Sequence, residues 1–291
     1  MTVAISETSL LTSDDLRQFK EEGYVIKRVL TDAQIERYLT VFKTDARLAN
    51  TERMTNLQFL QPATAITELQ DAVCQETITN IVTGLLGGGQ AVIDNAVLFY
   101  ARAGMPYQQG WHRDVLQLND EEIDPAWFTP QHLHNNVQIN VPLIDDECLW
   151  YVPGSHCRAL TDSEQQAFQG SKKITPVNAV LAEGQRISIR AGEAIFYNNN
   201  GVHRGYGDNH GVLSRDRATI QLGYHSTAHA PTYHFAVLNH RDFTPDYLEQ
   251  LAPNVRQAVL LHIENKHLYK DFEQHHAGHQ AFIKSQFTVK A

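Results

Sequence analysis

Trp111-His112-Arg113-Asp114 is the stretch on which the reading of this 291-residue chain turns. On extended backbone, residues two apart project to the same side, so His112 and Asp114 face one way together. Far downstream, Gly192-Glu193-Ala194-Ile195-Phe196-Tyr197 runs through the polar turn Asn198-Asn199-Asn200-Gly201 to His203. A histidine at a strand end beside a loop is placed to face a cavity. Two imidazoles and one carboxylate meeting at a point make a facial donor set for iron(II), with coordination positions left open. A lone His-x-Asp also reads as a salt-bridged surface pair, and a lone loop histidine as hydrogen-bonded structure. The surroundings favour the metal reading: Gly104-Met105-Pro106 and Gly110 lead into the pair, and Trp111 anchors it.

Outward from this stretch, the chain reads as short β-rich runs separated by turn residues. Strands are predicted over Ala91–Ala101, toward His112, and over Asn136–Leu143, Cys148–Val152, Arg186–Ile189, Ala194–Tyr197 and Ala218–Tyr224. In Asn136–Leu143, Gln138 and Asn140 alternate with Val137, Ile139 and Val141, so amides share one face and aliphatics the other. Many short strands with Gly/Pro turns suggest a sandwich or jelly-roll barrel. Helices flank this core. Ser13-Asp14-Asp15 offers an N-cap, Gly23 a stop, and Thr31-Asp32-Ala33-Gln34 a capping box. A third helix is expected over about Thr67–Leu86, stopped by Gly87-Gly88-Gly89, and Thr244-Pro245-Asp246 opens a helical C-terminal extension. No repeat or linker interrupts the sequence, so one domain is expected: helices at about 13–86, the β core at about 91–226 and the extension at about 244–291.

Composition narrows the function. A formal net charge of −9 argues against a nucleic-acid backbone as the main partner, since phosphate binding needs clustered Lys and Arg. The compact basic pair Lys172-Lys173 reads as a solvated loop. Three cysteines, Cys74, Cys148 and Cys157, have no metal-like spacing, and reduced thiols in a cytoplasmic setting fit them better than a disulfide framework. Neither a secretory signal nor an apolar run long enough for a membrane span is visible. A small-molecule partner is expected; oligomeric state has no sequence signature here.

Arg215 and Arg217 precede the strand Ala218–Tyr224, and Arg217, Thr219 and Gln221 share one face of it. A buried arginine opposite a metal suits a dicarboxylate, because its planar fork binds a carboxylate in bidentate fashion.

Four features, taken in order, resemble the phytanoyl-CoA dioxygenase family of Fe(II)/2-oxoglutarate oxygenases, from about Asp15 to Ser226. They are Gly23-Tyr24-Val25-Ile26 behind a helix, Trp111-His112-Arg113-Asp114, Leu149-Trp150-Tyr151-Val152-Pro153-Gly154-Ser155-His156, and Gly192-Glu193-Ala194 through His203 to an arginine. The Pro-Gly-Ser-His turn is the most family-specific of the four. The resemblance implies a double-stranded β-helix (jelly-roll, cupin-like) fold, mainly β with flanking helices. It implies iron(II) held by His112, Asp114 and His203, with 2-oxoglutarate as co-substrate and O2 as oxidant. In the family an arginine after the distal histidine grips the co-substrate. Arg217 is preferred to Arg215, because Thr219 adds a hydroxyl on the same face. Gln109 occupies a place where relatives often set an amide toward the co-substrate, and Asn140 joins this set on the amide face. His156 in the turn reads as structural. Asp145-Asp146-Glu147-Cys148 departs from the acidic-Asn-Gly that often precedes the Pro-Gly-Ser-His strand.

Halogenating relatives replace the carboxylate of the triad by a small residue, whereas Asp114 is present here. The resemblance therefore implies hydroxylation, or another oxidation of a C–H bond, with release of succinate and CO2. A small organic molecule, first of all one of secondary metabolism, is the expected substrate. An acyl-CoA would call for basic residues near the triad, and none cluster there. The long segment from Val115 to Asn135, with Trp127 and Phe128, is expected to form part of the substrate wall together with Gln138. Rival readings are a cupin-type metal site at His132-Leu133-His134 and a non-catalytic jelly-roll binding module. The acidic run from Asp120 to Asp124 reads as an exposed loop, and His275, His276 and His279 read as a solvated face.

Overall fold

Thr12, one residue before the expected cap, starts the first helix: its side chain accepts from the Asp15 amide and Asp15 answers the Thr12 backbone, a reciprocal capping box. The computed structural model describes residues 11–49, 54–114, 136–172, 180–228, 238 and 242–265. Helix α1 (Ser13–Glu22) stops at Gly23, whose φ of 90° lies in the left-handed region open to glycine. Strand β1 (Tyr24–Arg28) follows, then α2 (Asp32–Thr44) behind the Thr31/Gln34 capping box that the sequence predicts, and a single turn, α3 (Ala46–Ala49). The third predicted helix is broken in two. A 3-10 helix spans Thr67–Cys74, and α4 covers Glu76–Leu85. Gln75, at ψ 120°, is the break, and its side chain is held there by Gln34, Tyr38 and Asp71.

Nine strands among the described residues form two antiparallel sheets. They are β1, β2 (Thr55–Gln58), β3 (Ala91–Ala101), β4 (Asn136–Pro142), β5 (Asp146–Tyr151), β6 (Gln185–Ile189), β7 (Glu193–Tyr197), β8 (His203–Gly205) and β9 (Arg217–Ser226). The larger sheet has the order β1-β7-β4-β9-β3-β2, the smaller β6-β5-β8. Residues 106–112 extend the smaller sheet through isolated bridges Pro106↔Val212, Gln108↔Tyr206 and His112↔His203. The two sheets are hydrogen-bonded separately, so the expected barrel is a jelly roll whose strands do not close into one ring.

The strand alternation read from sequence sorts the core. Val137, Ile139 and Val141 of β4 join Ala218, Ile220, Leu222 and Tyr224 of β9 under α2 and α4, in the main cluster between sheet and helices. Helix α7 (Pro253–Glu264), after α6 (Pro245–Gln250), adds Val255 and Val259 to it. The opposite face of the large sheet looks at the small one, where Ile195 and Tyr197 pack on Leu149, Tyr151, Ile187 and Ile189. That second face carries the polar residues. Helix α5 (Asp162–Lys172), which the sequence reading did not foresee, lies beyond the Pro-Gly-Ser-His turn. No described helix is long and apolar enough to cross a membrane.

Candidate metal centre

The backbones of His112 and His203 exchange both hydrogen bonds, each amide donating to the other's carbonyl at 2.9 Å. Such a pair sends both side chains to one face of the ladder, and the two imidazole centroids stand 4.4 Å apart. Asp114 is brought in by its own amide, which donates to the Asn199 carbonyl at 3.0 Å. Its Oδ1 is 3.4 Å from His112 Nε2 and its Oδ2 3.3 Å from His203 Nε2. One ligand atom from each of the three residues falls within 4.8 Å of the others, the single such group among the described residues.

Both rings are oriented by the same device. His112 Nδ1 lies 2.8 Å from the Gly110 carbonyl, and His203 Nδ1 lies 2.9 Å from the Gly201 carbonyl. A carbonyl only accepts, so each Nδ1 carries a proton and each Nε2 is the atom turned toward Asp114. This outer support of histidine ligands is the usual way a tautomer is fixed for a metal. Burial works against the Asp114 carboxylate, yet the His203 and His112 rings outweigh it and hold it well below the usual carboxylate range. His112 feels the converse: burial lowers it, and Asp114 brings a net upward shift. Asp114 and His203 keep 6% and 4% of their side-chain surface, His112 34%, so the group opens on the His112 side. The donor set fits a divalent metal.

The motifs that carry the resemblance meet physically here. Arg113 turns away from the triad and donates to the carbonyls of Ser155 and Arg158. The Ser155 hydroxyl donates to Val152 O at 2.6 Å and accepts from the Val202 amide at 2.7 Å, one residue before His203. Gly154 N donates to Glu22 O, and His156 Nε2 sits 3.1 Å from Lys20 O, which ties the turn to the end of α1. His156 is structural, as expected, and does not approach the triad. The Tyr151 hydroxyl donates between Gly23 O and Asn198 O, and a Cβ on Gly201 would strike its ring.

The two arginines separate cleanly. Arg215 is exposed, whereas Arg217 is 7% exposed on the inner face of β9. Its guanidinium is already engaged: Nε donates to Asp146 Oδ2 at 2.7 Å and Nη1 to the Tyr107 hydroxyl at 3.4 Å. Thr219 Oγ1 donates to the same Asp146 oxygen at 3.1 Å. Burial opposes the Arg217 charge, but Asp146 more than restores it. Burial pushes Tyr107 up to about 12. Asp146 is the residue the sequence reading missed. It lay in the segment that departs from the family pattern, and that departure was the available signal.

The remaining expected residues lie on the inner face or beyond the described chain. Asn140 Oδ1 accepts from Gln221 Nε2 at 3.3 Å, and Gln221 Oε1 accepts from Asn95 at 3.1 Å. Gln109 is half-buried, and its Oε1 accepts from Gly205 N at 3.1 Å, beside Tyr107. Gln138 is buried opposite Tyr197 in the β4–β7 register, and the Tyr197 ring stands 5.4 Å from that of His203. Tyr197, the last residue of the Gly192–Tyr197 stretch, is thus a neighbour of the triad; burial, then Asp114, raises its hydroxyl well above the usual range. Trp127, Phe128, the Asp120–Asp124 run, His132, His134, Lys173 and the histidines at 275, 276 and 279 lie outside the described residues.

Fold and site together define a jelly-roll protein with a converging His-x-Asp…His group, able to hold a metal, between its sheets. The sequence matches the phytanoyl-CoA dioxygenase family over residues 5–215, and the chain belongs to that family of 2-oxoglutarate-dependent iron dioxygenases. The match stops two residues short of Arg217. No curated protein matches the chain in sequence. Among solved structures, HygX from Streptomyces hygroscopicus with nickel and 2-oxoglutarate bound is 17% identical, with 75% of this chain and 88% of that one covered at a TM-score of 0.59. AviO1 from Streptomyces viridochromogenes Tue57 is also 17% identical, covering 76% and 98% at 0.52. The non-heme alpha-ketoglutarate-dependent carbocyclase SnoK from nogalamycin biosynthesis is 19% identical, covering 74% and 84% at 0.53. At these identities the likeness establishes the shared fold.

Proposed function

We propose that His112, Asp114 and His203 hold iron(II), that Arg217 and Thr219 bind the far carboxylate of 2-oxoglutarate, and that a C–H bond of a small organic molecule is hydroxylated. The balance is one substrate, one 2-oxoglutarate and one O2 giving the hydroxylated product, succinate and CO2. The observation that carries the reading is the matched commitment of both Nδ1 protons to backbone carbonyls, which leaves two Nε2 atoms and one carboxylate converging as the ligand atoms a metal would take. When bound, the metal supplies activation of O2 coupled to oxidative decarboxylation of the co-substrate.

The chain's own residues orient and enclose. Arg217 is anchored through Nε by Asp146, while its Nη2 makes no hydrogen bond among the described residues, so one edge of the fork is available to a carboxylate. Tyr107 and Phe99 flank the guanidinium at 4.8 and 5.7 Å and keep water from its faces. Tyr151, Tyr197 and Ile195 close the inner core beside His203. The hygromycin B bound in a structure of HygX supports a small-molecule reading.

The test is an anaerobic titration of 2-oxoglutarate into iron(II)-loaded protein followed by visible absorption. A weak charge-transfer band that is lost in His112→Ala and Asp114→Ala is expected. Folded, iron-loaded protein that shows no band would sink the proposal.

A further inference from the structure

The inner face has two ends that differ in chemistry. On β9, Arg217 and His225 are eight residues apart, roughly 26 Å at the rise of a strand. The Arg217 end holds Asp146, Thr219 and Tyr107. At the other end His225 lies opposite Asn136, and Gln138 lies opposite Gly223 on β9 and Tyr197 on β7. Alternation turns Asn136 and Gln138 inward, because Val137 and Ile139 are spent in the core under the helices.

These inward amides are buried and unanswered. Asn136 is 2% exposed with neither Nδ2 nor Oδ1 hydrogen-bonded, and Gln138 is 4% exposed with Oε1 unbonded. Asn199, whose carbonyl holds the Asp114 amide, has a buried Nδ2 without a partner, and Asn200 a buried Oδ1. Buried polar groups in folded proteins are almost always paired, and an unmade bond costs the full desolvation of the atom. Five such atoms on four carboxamides, two on β4 opposite the end of β7 and two in the turn after β7 that holds the Asp114 amide, call for a ligand. The charge at this end is already answered within the protein, since the Asp94 carboxylate receives His225 Nδ1 at 2.7 Å.

We infer that this carboxamide wall binds a neutral, hydroxyl-rich substrate, of the polyol or glycoside kind, and presents it to the triad. The inference rests on the dioxygenase reading given above. A hydroxyl both donates and accepts, as a carboxamide does, so a run of hydroxyls can serve Asn136 and Gln138 together. An alkyl chain would leave every one of these atoms unmade. An anionic group would find no free cation among the described residues of the wall.

The experiment measures succinate release from iron(II)-loaded enzyme at saturating 2-oxoglutarate with two panels of compounds. One holds neutral polyols and glycosides: myo-inositol, methyl α-glucoside, sucrose and trehalose. The other holds chain-like acyl compounds: decanoate and octanoyl-coenzyme A. At least one hydroxylated compound should raise succinate release several-fold above the substrate-free rate, and no acyl compound should. Gln138→Met should then raise the KM of that compound by about tenfold, the scale of one lost hydrogen bond. Its thermal midpoint should stay level or rise, since an apolar isostere deletes an unmade polar atom. Stimulation by the acyl panel alone, or by neither panel while substrate-free turnover persists, overturns the inference. So does a Gln138→Met midpoint that falls, which would mean that structural water serves the amide. If the wild type shows neither substrate-free turnover nor the 2-oxoglutarate band, the dioxygenase reading itself has failed. A thermal shift of iron-free protein with the hydroxylated panel then still decides the wall, and its absence overturns the inference as well.

Discussion

Arg217 cannot be truncated without leaving the Asp146 carboxylate stranded in the protein interior, and this shapes how its role is tested. The pair is buried, with 7% and 4% of side-chain surface exposed. Removing one partner of such a pair typically costs about 3–5 kcal/mol, so Arg217→Ala should lower the denaturation midpoint sharply and confound activity with folding. Arg217→Lys keeps the charge for Asp146 but loses the planar fork. We expect it to stay folded and to raise the KM for 2-oxoglutarate at least about tenfold, the scale of one lost charge-assisted bond; an unchanged KM would move the carboxylate site elsewhere. Asp146→Asn leaves the guanidinium without its counter-charge. Bound 2-oxoglutarate should then stabilise this variant more than the wild type, measured as a larger rise in thermal midpoint on adding co-substrate. The sequence made the arginine legible because Arg217 and Thr219 share a strand face at spacing two. Its partner was not legible, because Asp146 is 71 positions away and only the packing of two sheets brings them together.

Among the elements, the Pro-Gly-Ser-His turn and helix α7 each do a job that a local reading shows only in part. The turn is a mark of the family in sequence; its mechanical role comes from Ser155, which ties Val152, Val202 and, through its carbonyl, Arg113 into one knot behind His203. Ser155→Ala should cost about 1–3 kcal/mol for two lost buried bonds, and it should weaken iron(II) affinity by releasing the strand that presents His203. Equilibrium denaturation and a metal titration check the two parts separately. Helix boundaries were legible from their caps at Thr31 and Thr244 and one residue off at Thr12. The break at Gln75 was not, since it depends on side-chain bonds to Gln34 and Tyr38 of α2 as well as to the nearby Asp71. In α7, His262 is 2% exposed, with Nε2 3.2 Å from Leu238 O. Burial first, then His225, lowers it from the ordinary 6.5 to about 4 against the opposing pull of Asp94. The unfolded chain takes up this proton near pH 6.5 and the folded chain only near 4, so stability stands in full above 6.5 and falls as the pH drops between them. The loss by pH 4 is about 3 kcal/mol, from 1.36 kcal/mol per unit. Urea midpoints measured across that window should slope less in His262→Gln than in the wild type.

At the scale of the whole molecule, the triad draws its three residues from two neighbouring segments, far apart in sequence, that only the tertiary fold pairs. His112 and Asp114 sit on the segment that extends the small sheet, and His203 on β8, so the unfolded chain holds no preformed site. The sequence pointed to the three converging residues and to the jelly-roll class through strand alternation and ordered motifs. It did not disclose that the sheets stay separate, because closure depends on edge pairing between strands distant in sequence. A site that exists only in the folded state makes ligand binding a contribution to folding free energy. At a concentration one hundred times its dissociation constant, a ligand that binds only the native state adds about 2.7 kcal/mol. For domains of 150–250 residues each kcal/mol moves the melting temperature by about 2–4 °C, so a chain of this size should gain on the order of 5 °C. Anaerobic iron(II), with 2-oxoglutarate added after it, should therefore raise the midpoint in two steps, and a chelator should reverse both. In Asp114→Ala the two Nε2 atoms lose the carboxylate they face, and the first step should vanish while the metal-free midpoint stays folded and measurable. If iron(II) stabilised that variant as much as the wild type, the metal would be binding outside the triad, and the convergence of His112, Asp114 and His203 would need another explanation.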